Sequence, residues 1–396
     1  MHWPQLNPVE AAIAKLSEKL RVVSNERVAI DHILGRILVE DLLADRDSPA
    51  LDVSGMDGYA VRIGDVRPTP LPIQATTAAG SPPISLRPGH AIRIFTGAPV
   101  PAEADCVVRR EDTEENEQQV KFCVPTSSLL VGQNIRQQGE NIRSNTVVLP
   151  AGTKIDASTI GAMSSFGPSI VSVRRKVRVA ILNTGDEICA PGANVADWQI
   201  RDSNGPTLAA WLANIPWAEV VARRRIDDSL TSVRHALAEN LADCDAILLT
   251  GGVSMGDADF VPAAIDALGG ETVFHHLPLR PGKPVLGACL NGKLLLGLPG
   301  NPVSVAVTSR VFGEPLLCTL AGCSTAPRRP LVTISNVDDK RLDIVWYRLV
   351  HINGHGTIKL VATQGSGDIV SLSHSSGFVE VPAGMSADGP LRLTLW

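Results

Sequence analysis

The sequence predicts a multidomain α/β protein built around a doubly wound domain, and three observations carry that prediction. Between Val177 and Leu320, short apolar runs alternate with helical stripes, the pattern of repeated strand–helix units. The run Ala246–Leu249 has no polar alternation and stops at Thr250-Gly251-Gly252. That suits a strand buried on both faces of a parallel sheet. The flanking regions differ in texture. Prolines cluster at 68, 70, 72, 82, 83, 88, 99 and 101, and the chain after Pro327 reads as all-β. A small, loop-rich β domain is therefore expected before the α/β region, and a barrel or sandwich after it.

Bulk properties bound the function. The chain has 396 residues, enough for two to four domains. Hydrophobic content of 44% and charged content of 19% mark a globular chain. A net charge of −5 without a basic block argues against nucleic acid as a partner, and 4% aromatics leave little for base stacking. Seven cysteines stand at 106, 123, 189, 244, 289, 318 and 323, with no C-x-x-C pair. They read as buried thiols in a reducing compartment, without a zinc site. Cys318 and Cys323 flank a helix end, which reads as packing. Met1-His2-Trp3-Pro4 has no basic and apolar leader pattern. No apolar run approaches the ~20 residues of a membrane span. The expectation is a cytoplasmic protein with no membrane partner.

In chain order, Asn7-Pro8-Val9-Glu10 has the composition of a capped helix start. Val9, Ile13, Leu16 and Leu20 then share a helical face. A short helix is expected over Asp31–Arg36 and a strand over Ile37–Leu43. Strand-like runs follow at Ala91–Phe95 and Cys106–Arg109, and the acidic run Glu111–Glu117 reads as a solvated loop. Ala157–Phe166 is helical in pattern. Strands are expected at Val179–Asn183, Glu219–Arg223 and Thr272–His275, with helices near Gly205–Asn214, Leu230–Leu241 and Phe260–Leu268. Val285–Leu290 and Lys293–Leu298 form a hairpin across Asn291-Gly292. Asn301-Pro302 opens the last helix. Leu331–Ile334, Ile358–Val361 and Phe378–Val381 are the runs of the final β region.

The chemistry gathers at strand ends, where open α/β sheets bind ligands. Asn183-Thr184-Gly185-Asp186-Glu187, Gly251–Asp259 and Leu298-Pro299-Gly300-Asn301-Pro302 each leave a strand, and Arg225-Ile226-Asp227-Asp228-Ser229 adds carboxylates. Arg280-Pro281-Gly282-Lys283-Pro284 adds two cations on a stiff loop. Carboxylates with Arg and Lys at one edge suit a phosphorylated ligand and Mg²⁺, which takes one or two carboxylates and bridges phosphate oxygens. Simpler readings stand beside these. Asp257 reads as solvated, Asp259 serves equally as a helix cap, and one of Asp227 and Asp228 caps the helix from Leu230. Arg280 and Lys283 also fit a solvated turn. The loops Ser54–Ala60 and Arg93–Pro99 are explained by turn chemistry taken singly. Gly287–Lys293 has phosphate-loop spacing, but Leu294 follows the Gly-Lys on a hairpin, so that reading fails. Gly365-Ser366-Gly367 lacks a third glycine. His275-His276 reads as packing or surface. No Gly-x-Ser-x-Gly setting supports covalent hydrolysis.

Together the loops resemble the molybdopterin molybdenumtransferases, a family that includes the C-terminal domain of gephyrin. The matching segments are Met56-Asp57-Gly58-Tyr59-Ala60, Thr96–Pro101, Asn134-Ile135-Arg136 with Gly139-Glu140, Thr184–Glu187, Thr250–Ser254, Arg280–Pro284 and Leu298–Pro302. They follow the family's order along nearly the whole chain. The resemblance implies four parts: an elongated domain from 1–45 and 141–176, an inserted β domain over 46–140, an α/β molybdopterin-binding domain over 177–326, and a C-terminal β-barrel over 327–396. It implies a homodimer whose cleft combines the α/β domain of one subunit with the inserted domain of the other. The implied substrates are adenylylated molybdopterin and molybdate, with AMP released and molybdenum placed in the dithiolene. Magnesium is the implied cofactor.

Carried over by motif, Asp57, Thr96, Glu187, Asp227 and Asp259 are the catalytic candidates, and Glu187, Asp227 and Asp259 the metal ligands. Ser254, Arg280, Lys283, Pro299 and Pro302 are the substrate-binding candidates. The sequence departs from the family at Asn141, where an acid is usual, and at Arg280 and His276, where lysine is common. It departs also at Asp257, which replaces a frequent Glu, and over Arg341–Arg348, where an Arg-x-Glu-Phe-x-Arg pattern is blurred. Two other readings are molybdopterin adenylylation, which leaves the inserted and C-terminal parts without a role, and a non-catalytic scaffold. The scaffold reading predicts loss of the cleft carboxylates, yet Asp57, Glu187, Asp227 and Asp259 are present.

Overall fold

The computed structural model describes residues 7–254, 256, 259–324 and 329–396; Asp257 lies outside them. They form two compact units. One holds the chain up to Glu40, Ala151–Ile160 and Ser169–Trp396; the other holds Asp41–Pro150 and Gly161–Pro168.

In the first unit a six-stranded sheet runs in the order Ala218–Ile226, Val177–Thr184, Ala246–Thr250, Lys293–Leu298, Leu286–Leu290, Glu271–His275. The first four strands are mutually parallel, and the remaining pairings are antiparallel. Side chains alternate between two cores. Val179 and Ile181 pack with Leu208 and Trp211 of the helix Asn204–Ala213 and with Val303, Val305 and Phe312. Ala180 and Leu182 pack with Val233 and Leu237 of Leu230–Asp243 and with Val261 and Ile265 of Val261–Ala267. Helices thus cover both faces, which is why these strands are apolar throughout rather than alternating. Asn291 (φ 54°) and Gly292 (φ 82°) make the hairpin turn, the left-handed pair that a two-residue loop requires. The carboxyl ends Thr184, Ile226, Thr250 and Leu298 share one edge of the sheet.

The last helix is long and largely apolar, yet it is no unbroken apolar run, since Arg310 and Glu314 lie within it. Pro302–Ala321 is helical over 20 residues, with a π-helical turn at Ser309–Gly313, and its mean hydropathy is 1.2. Within its most apolar window, 78% is buried inside the fold. A helix that is hydrophobic nearly all round is the expected centre of a core.

At the start of the chain Asn7 accepts from the Val9 and Glu10 N–H groups while Glu10 accepts from Asn7 N–H, so the capping box forms with Pro8 as first helical residue. Elsewhere local pattern gave way to context. Asp31–Arg36 yields only a 3-10 turn, Ile30–His32, and the expected strand over Ile37–Leu43 survives as Leu42–Leu43 and two isolated bridges. A second sheet of the first unit runs Leu279–Arg280, Val345–Ile352, Gly377–Val381, Leu391–Leu395, Leu331–Val332, with Ile358–Leu360 beside Val345–Ile352. Where a barrel is expected, this order is open among the described residues, because its two edge strands have only two residues each.

The second unit is built on a sheet ordered Cys106–Arg109, Gly58–Val61, Ala91–Ile94, Leu71–Thr77, Gln119–Phe122, Thr113–Glu115. The acidic run is therefore not a loop: Thr113–Glu115 pairs with Gln119–Phe122, and Glu115 pairs with Arg110 at 2.6 Å. Leu42–Leu43 pairs with Val147–Leu149, which draws the flanks of 46–140 into the same unit.

Candidate functional site

Glycine turns let the strand ends of the first unit approach closely. Gly251 (φ 81°) and Gly252 (φ 64°) occupy the left-handed region that favours glycine. A Cβ at Gly251 would meet both Thr184 O and Thr184 Oγ1 at 2.8 Å. Thr184 Oγ1 donates to Thr250 O at 3.4 Å, and Asn183 Nδ2 donates to Thr250 Oγ1 at 2.8 Å. Asn204 donates to Gly300 O at 2.7 Å, and its own side-chain oxygen is buried without a partner. The result is a floor of satisfied backbone with one spare acceptor.

Carboxylates line this edge. Asp259 accepts from the Gly256 N–H at 2.6 Å, whereas the residue that opens the helix Val261–Ala267 is Phe260, with no side-chain cap. Asp259 therefore braces its own loop and is no helix cap. The expectation that Asp227 or Asp228 caps the helix from Leu230 is also corrected: Ser229 does so, accepting from Ser232 N–H at 3.1 Å. This releases both acids, and they diverge. Asp227 is exposed and lies 3.5 Å from Arg225. Asp228 is half-buried, and its N–H donates to Asp186 Oδ1 at 3.2 Å. Burial, then the charges of Asp186 and Glu187, push the Asp228 carboxyl above its ordinary value. The sequence places Asp186 and Asp228 in two of the chemical strand-end loops, but the resemblance carries the roles to their neighbours Glu187 and Asp227; the signal for the pair is their position on two neighbouring strand ends. Glu187 is exposed at the end of the central strand, and Ser254 is exposed beside Val253.

The cations lie on the other side of the same unit's edge. Arg280, Lys283 and Pro299 line a cleft of about 780 Å³ together with Lys340, Arg348 and Ser366. Pro302 begins the helix beside it, where Asn301 donates to Ser366 Oγ at 2.9 Å. Arg348 forms a two-pronged pair with Asp338 at 2.6 and 2.7 Å, and this pairing holds the Asp338 carboxyl below the usual range. Its guanidinium also sits 4.3 Å from the centre of the Trp346 ring, with that of Arg280 at 5.6 Å. Arg280 and Lys283 form no ion pair among the described residues and are exposed. Lys340 likewise forms no ion pair among the described residues, so three of the cleft's cations are free to meet an anion.

His275 and His276 are neither packing nor plain surface. His275 Nε2 lies 2.7 Å from Val253 O, tying the strand to the Gly251-Gly252-Val253 turn. His276 has φ 59°. Burial, and then His275 and Lys283, lower its pKa while Asp259 opposes them. The balance favours the neutral imidazole, with the charges of Lys283 and Asp259 acting on it in opposite directions.

In the second unit the two loop candidates meet directly. Thr96 donates to Asp57 Oδ1 from its N–H and from its hydroxyl, each at 2.8 Å. These two bonds hold the exposed Asp57 carboxyl below the ordinary range. A depressed carboxyl adds stability above its unfolded pKa, and that stability is lost as pH falls through the folded pKa. Thr96→Val keeps the backbone donor and removes the hydroxyl. The Asp57 titration, followed by carboxyl ¹³C NMR, is expected to move up toward the ordinary value; an unmoved titration would show the hydroxyl bond to be immaterial.

No three His, Cys, Asp or Glu side chains among the described residues converge as a ready metal cage. A hard divalent cation held by one or two carboxylates and by ligand oxygens needs no such cage. The crowding of Asp186, Glu187 and Asp228, which raises the last of them, is what such an ion relieves.

The site thus combines acids on the strand ends of an α/β sheet with a cation-lined cleft of the same unit. Comparison with known proteins supplies the class. Residues 7–167 match the MoeA N-terminal region (domain I and II), and residues 180–319 match a probable molybdopterin binding domain. The chain is 33% identical over 366 residues to a molybdopterin molybdenumtransferase of Nostoc sp., spanning 88% of this chain and 83% of that protein. It is 31% identical over 389 residues to that of Bacillus subtilis, spanning 95% and 90%. The crystal structure of a molybdopterin biosynthesis MoeA protein from Pyrococcus horikosii covers 99% of each chain at 27% identity, with a TM-score of 0.79. The chain belongs to the molybdopterin molybdenumtransferase family, the MoeA-type enzymes of molybdenum cofactor biosynthesis.

Proposed function

We propose that this enzyme places molybdate-derived molybdenum into the dithiolene of adenylylated molybdopterin and releases AMP, and that it works as a cytoplasmic homodimer of four-part subunits. The observation that carries this reading is the cleft where Arg280 and Lys283 stand unpaired beside Lys340, Arg348 and Ser366. Such a group of donors suits a compact tetrahedral oxyanion such as molybdate. The Thr184, Gly251 and Gly300 turns leave room for a flat, phosphate-bearing ligand against backbone. Asp228 and Glu187 would hold Mg²⁺ together with ligand oxygens, the ion supplying charge neutralisation at the scissile phosphoanhydride, and Asp259 orients the attacking water. Lys283 and Arg280 bind the oxyanion and stabilise negative charge as the anhydride opens. Asp57, fixed by Thr96, is the second unit's contribution to the cleft, offered across the dimer.

The test is AMP release from adenylylated molybdopterin by the purified chain with Mg²⁺, with and without molybdate. Molybdate-stimulated release, lowered about a hundredfold in Lys283→Ala, is expected. Release that is indifferent to both molybdate and Lys283 would overturn the assignment. A folded dimer that binds the substrate without turnover would favour the scaffold reading, with Asn141 and His276 as its marks.

A further inference from the structure

Cys318 and Cys323 are brought together by the way the long core helix ends. The helix Glu314–Ala321 stops at Gly322, which is left-handed at φ 69°. Gly322 N–H donates to Thr319 O and Cys323 N–H donates to Cys318 O, both at 3.0 Å. This crossed pair of bonds is a Schellman motif, in which the side chains at the third residue from the helix end and the second residue beyond it meet, usually as an apolar contact. Here those two positions are Cys318 and Cys323. The motif brings these two side chains to the same side of the helix end, and both are free thiols.

Their surroundings differ from those of the other thiols. Cys106 and Cys244 are buried in apolar cores, and burial pushes each thiol up to about 11, which makes them inert. Cys318 and Cys323 are half-buried. They line a cavity of about 700 Å³ with Lys154, Glu314 and Arg329, wide enough for a small thiol reagent to enter. The neighbouring Cys318 thiol, and then the positive charge of Lys154, lower the Cys323 thiol against the opposing effect of burial and so favour its thiolate.

We propose that Cys318 and Cys323 are a redox-modification site, a thiol pair that a small-molecule disulfide converts to a reversible intrachain disulfide. The Cys323 thiolate attacks one sulfur of the reagent and expels a thiolate, leaving a mixed disulfide on Cys323. Cys318 gives its proton to solvent and attacks the Cys323 sulfur, expelling the second thiolate. Two protein thiols are oxidised, one small disulfide is reduced to two thiols, and the thiol protons pass to the products through solvent. The ring so closed spans only the helix terminus, at the margin of the first core, against which both side chains pack.

The experiment equilibrates the full-length protein in oxidised and reduced glutathione at fixed ratios, quenches with an alkylating reagent, and maps peptides by mass spectrometry. The expected result is a Cys318–Cys323 link that appears and disappears reversibly with the ratio, while Cys106 and Cys244 stay reduced. Cys318→Ser is expected to trap glutathione on Cys323, since the resolving thiol is gone; circular dichroism confirms that the variant is folded. Alkylation of both thiols at every ratio would overturn the proposal. So would a folded Cys318→Ser variant whose Cys323 takes up no more glutathione than exposed Cys123.

Discussion

Asp228→Asn is expected to lower molybdate-stimulated AMP release about a hundredfold, while Asp227→Asn costs about fivefold or less, the scale of one exposed ion pair. The two carboxylates are adjacent in sequence and equivalent in composition, so only their geometry separates them. Asp227 faces solvent with Arg225 at 3.5 Å. Asp228 faces Asp186, Glu187 and Thr184, and the neighbouring charges raise its pKa. Neutralising Asp228 removes one of the repelling charges that a bound cation compensates, so the apparent affinity for Mg²⁺ falls along with the rate. Measuring AMP release against Mg²⁺ concentration separates this from a fold defect: a fold defect lowers the rate without moving the Mg²⁺ midpoint. The reverse ranking, with Asp227→Asn the more damaging, would return the role to the outward carboxylate.

What could be read in advance follows from how local each signal is. The capping box at Asn7 and the Asn291-Gly292 turn are complete within four residues, and both form as expected. The buried strands at Val177–Thr184 and Ala246–Thr250 were visible because covering both faces of a parallel sheet demands unbroken apolar runs. The acidic run around Glu114 gave no such signal, because its charges are offset by Lys121 and Arg110 only once its own hairpin, Thr113–Glu115 against Gln119–Phe122, has formed. The Cys318–Cys323 contact needed the left-handed Gly322 to be known. In the site, motif order pointed to Arg280 and Lys283, which line one cleft, and to Asp259, which braces its own loop. It could not tell which neighbouring acid is half-buried, nor that His276 would feel the charges of both Lys283 and Asp259. Those outcomes depend on backbone direction at strand ends, where one residue of offset reverses a side chain.

Gly58→Ala is expected to destabilise the second unit by about 3 kcal/mol, at the upper end for overpacking. The motif Met56-Asp57-Gly58-Tyr59-Ala60 reads as turn chemistry, which would make Gly58 replaceable at modest cost. The structure assigns it another constraint. Gly58 is the first residue of a buried strand, paired with Ile94 on one side and Arg109 on the other. A Cβ there would stand 1.9 Å from Val108 O and 2.9 Å from Val108 C. Both atoms are backbone, so no side-chain rotation relieves the overlap, and the central pairing of the sheet must open. Gly97, on the partner loop, is the contrast: its φ is +80°, but a Cβ would meet only Ala79 Cβ at 3.5 Å. Gly97→Ala is therefore limited to the left-handed penalty of about 1 kcal/mol. Hydrogen exchange read by mass spectrometry over 58–61, 91–94 and 106–109 measures both, because every tryptophan lies outside this unit and fluorescence does not report on it. Gly58→Ala should lose protection across all three strands, and with it the placement of Asp57 against Thr96. If Gly97→Ala proves the more damaging, then torsion rather than cross-strand approach governs this loop, and Asp57 is held by its turn rather than by its sheet.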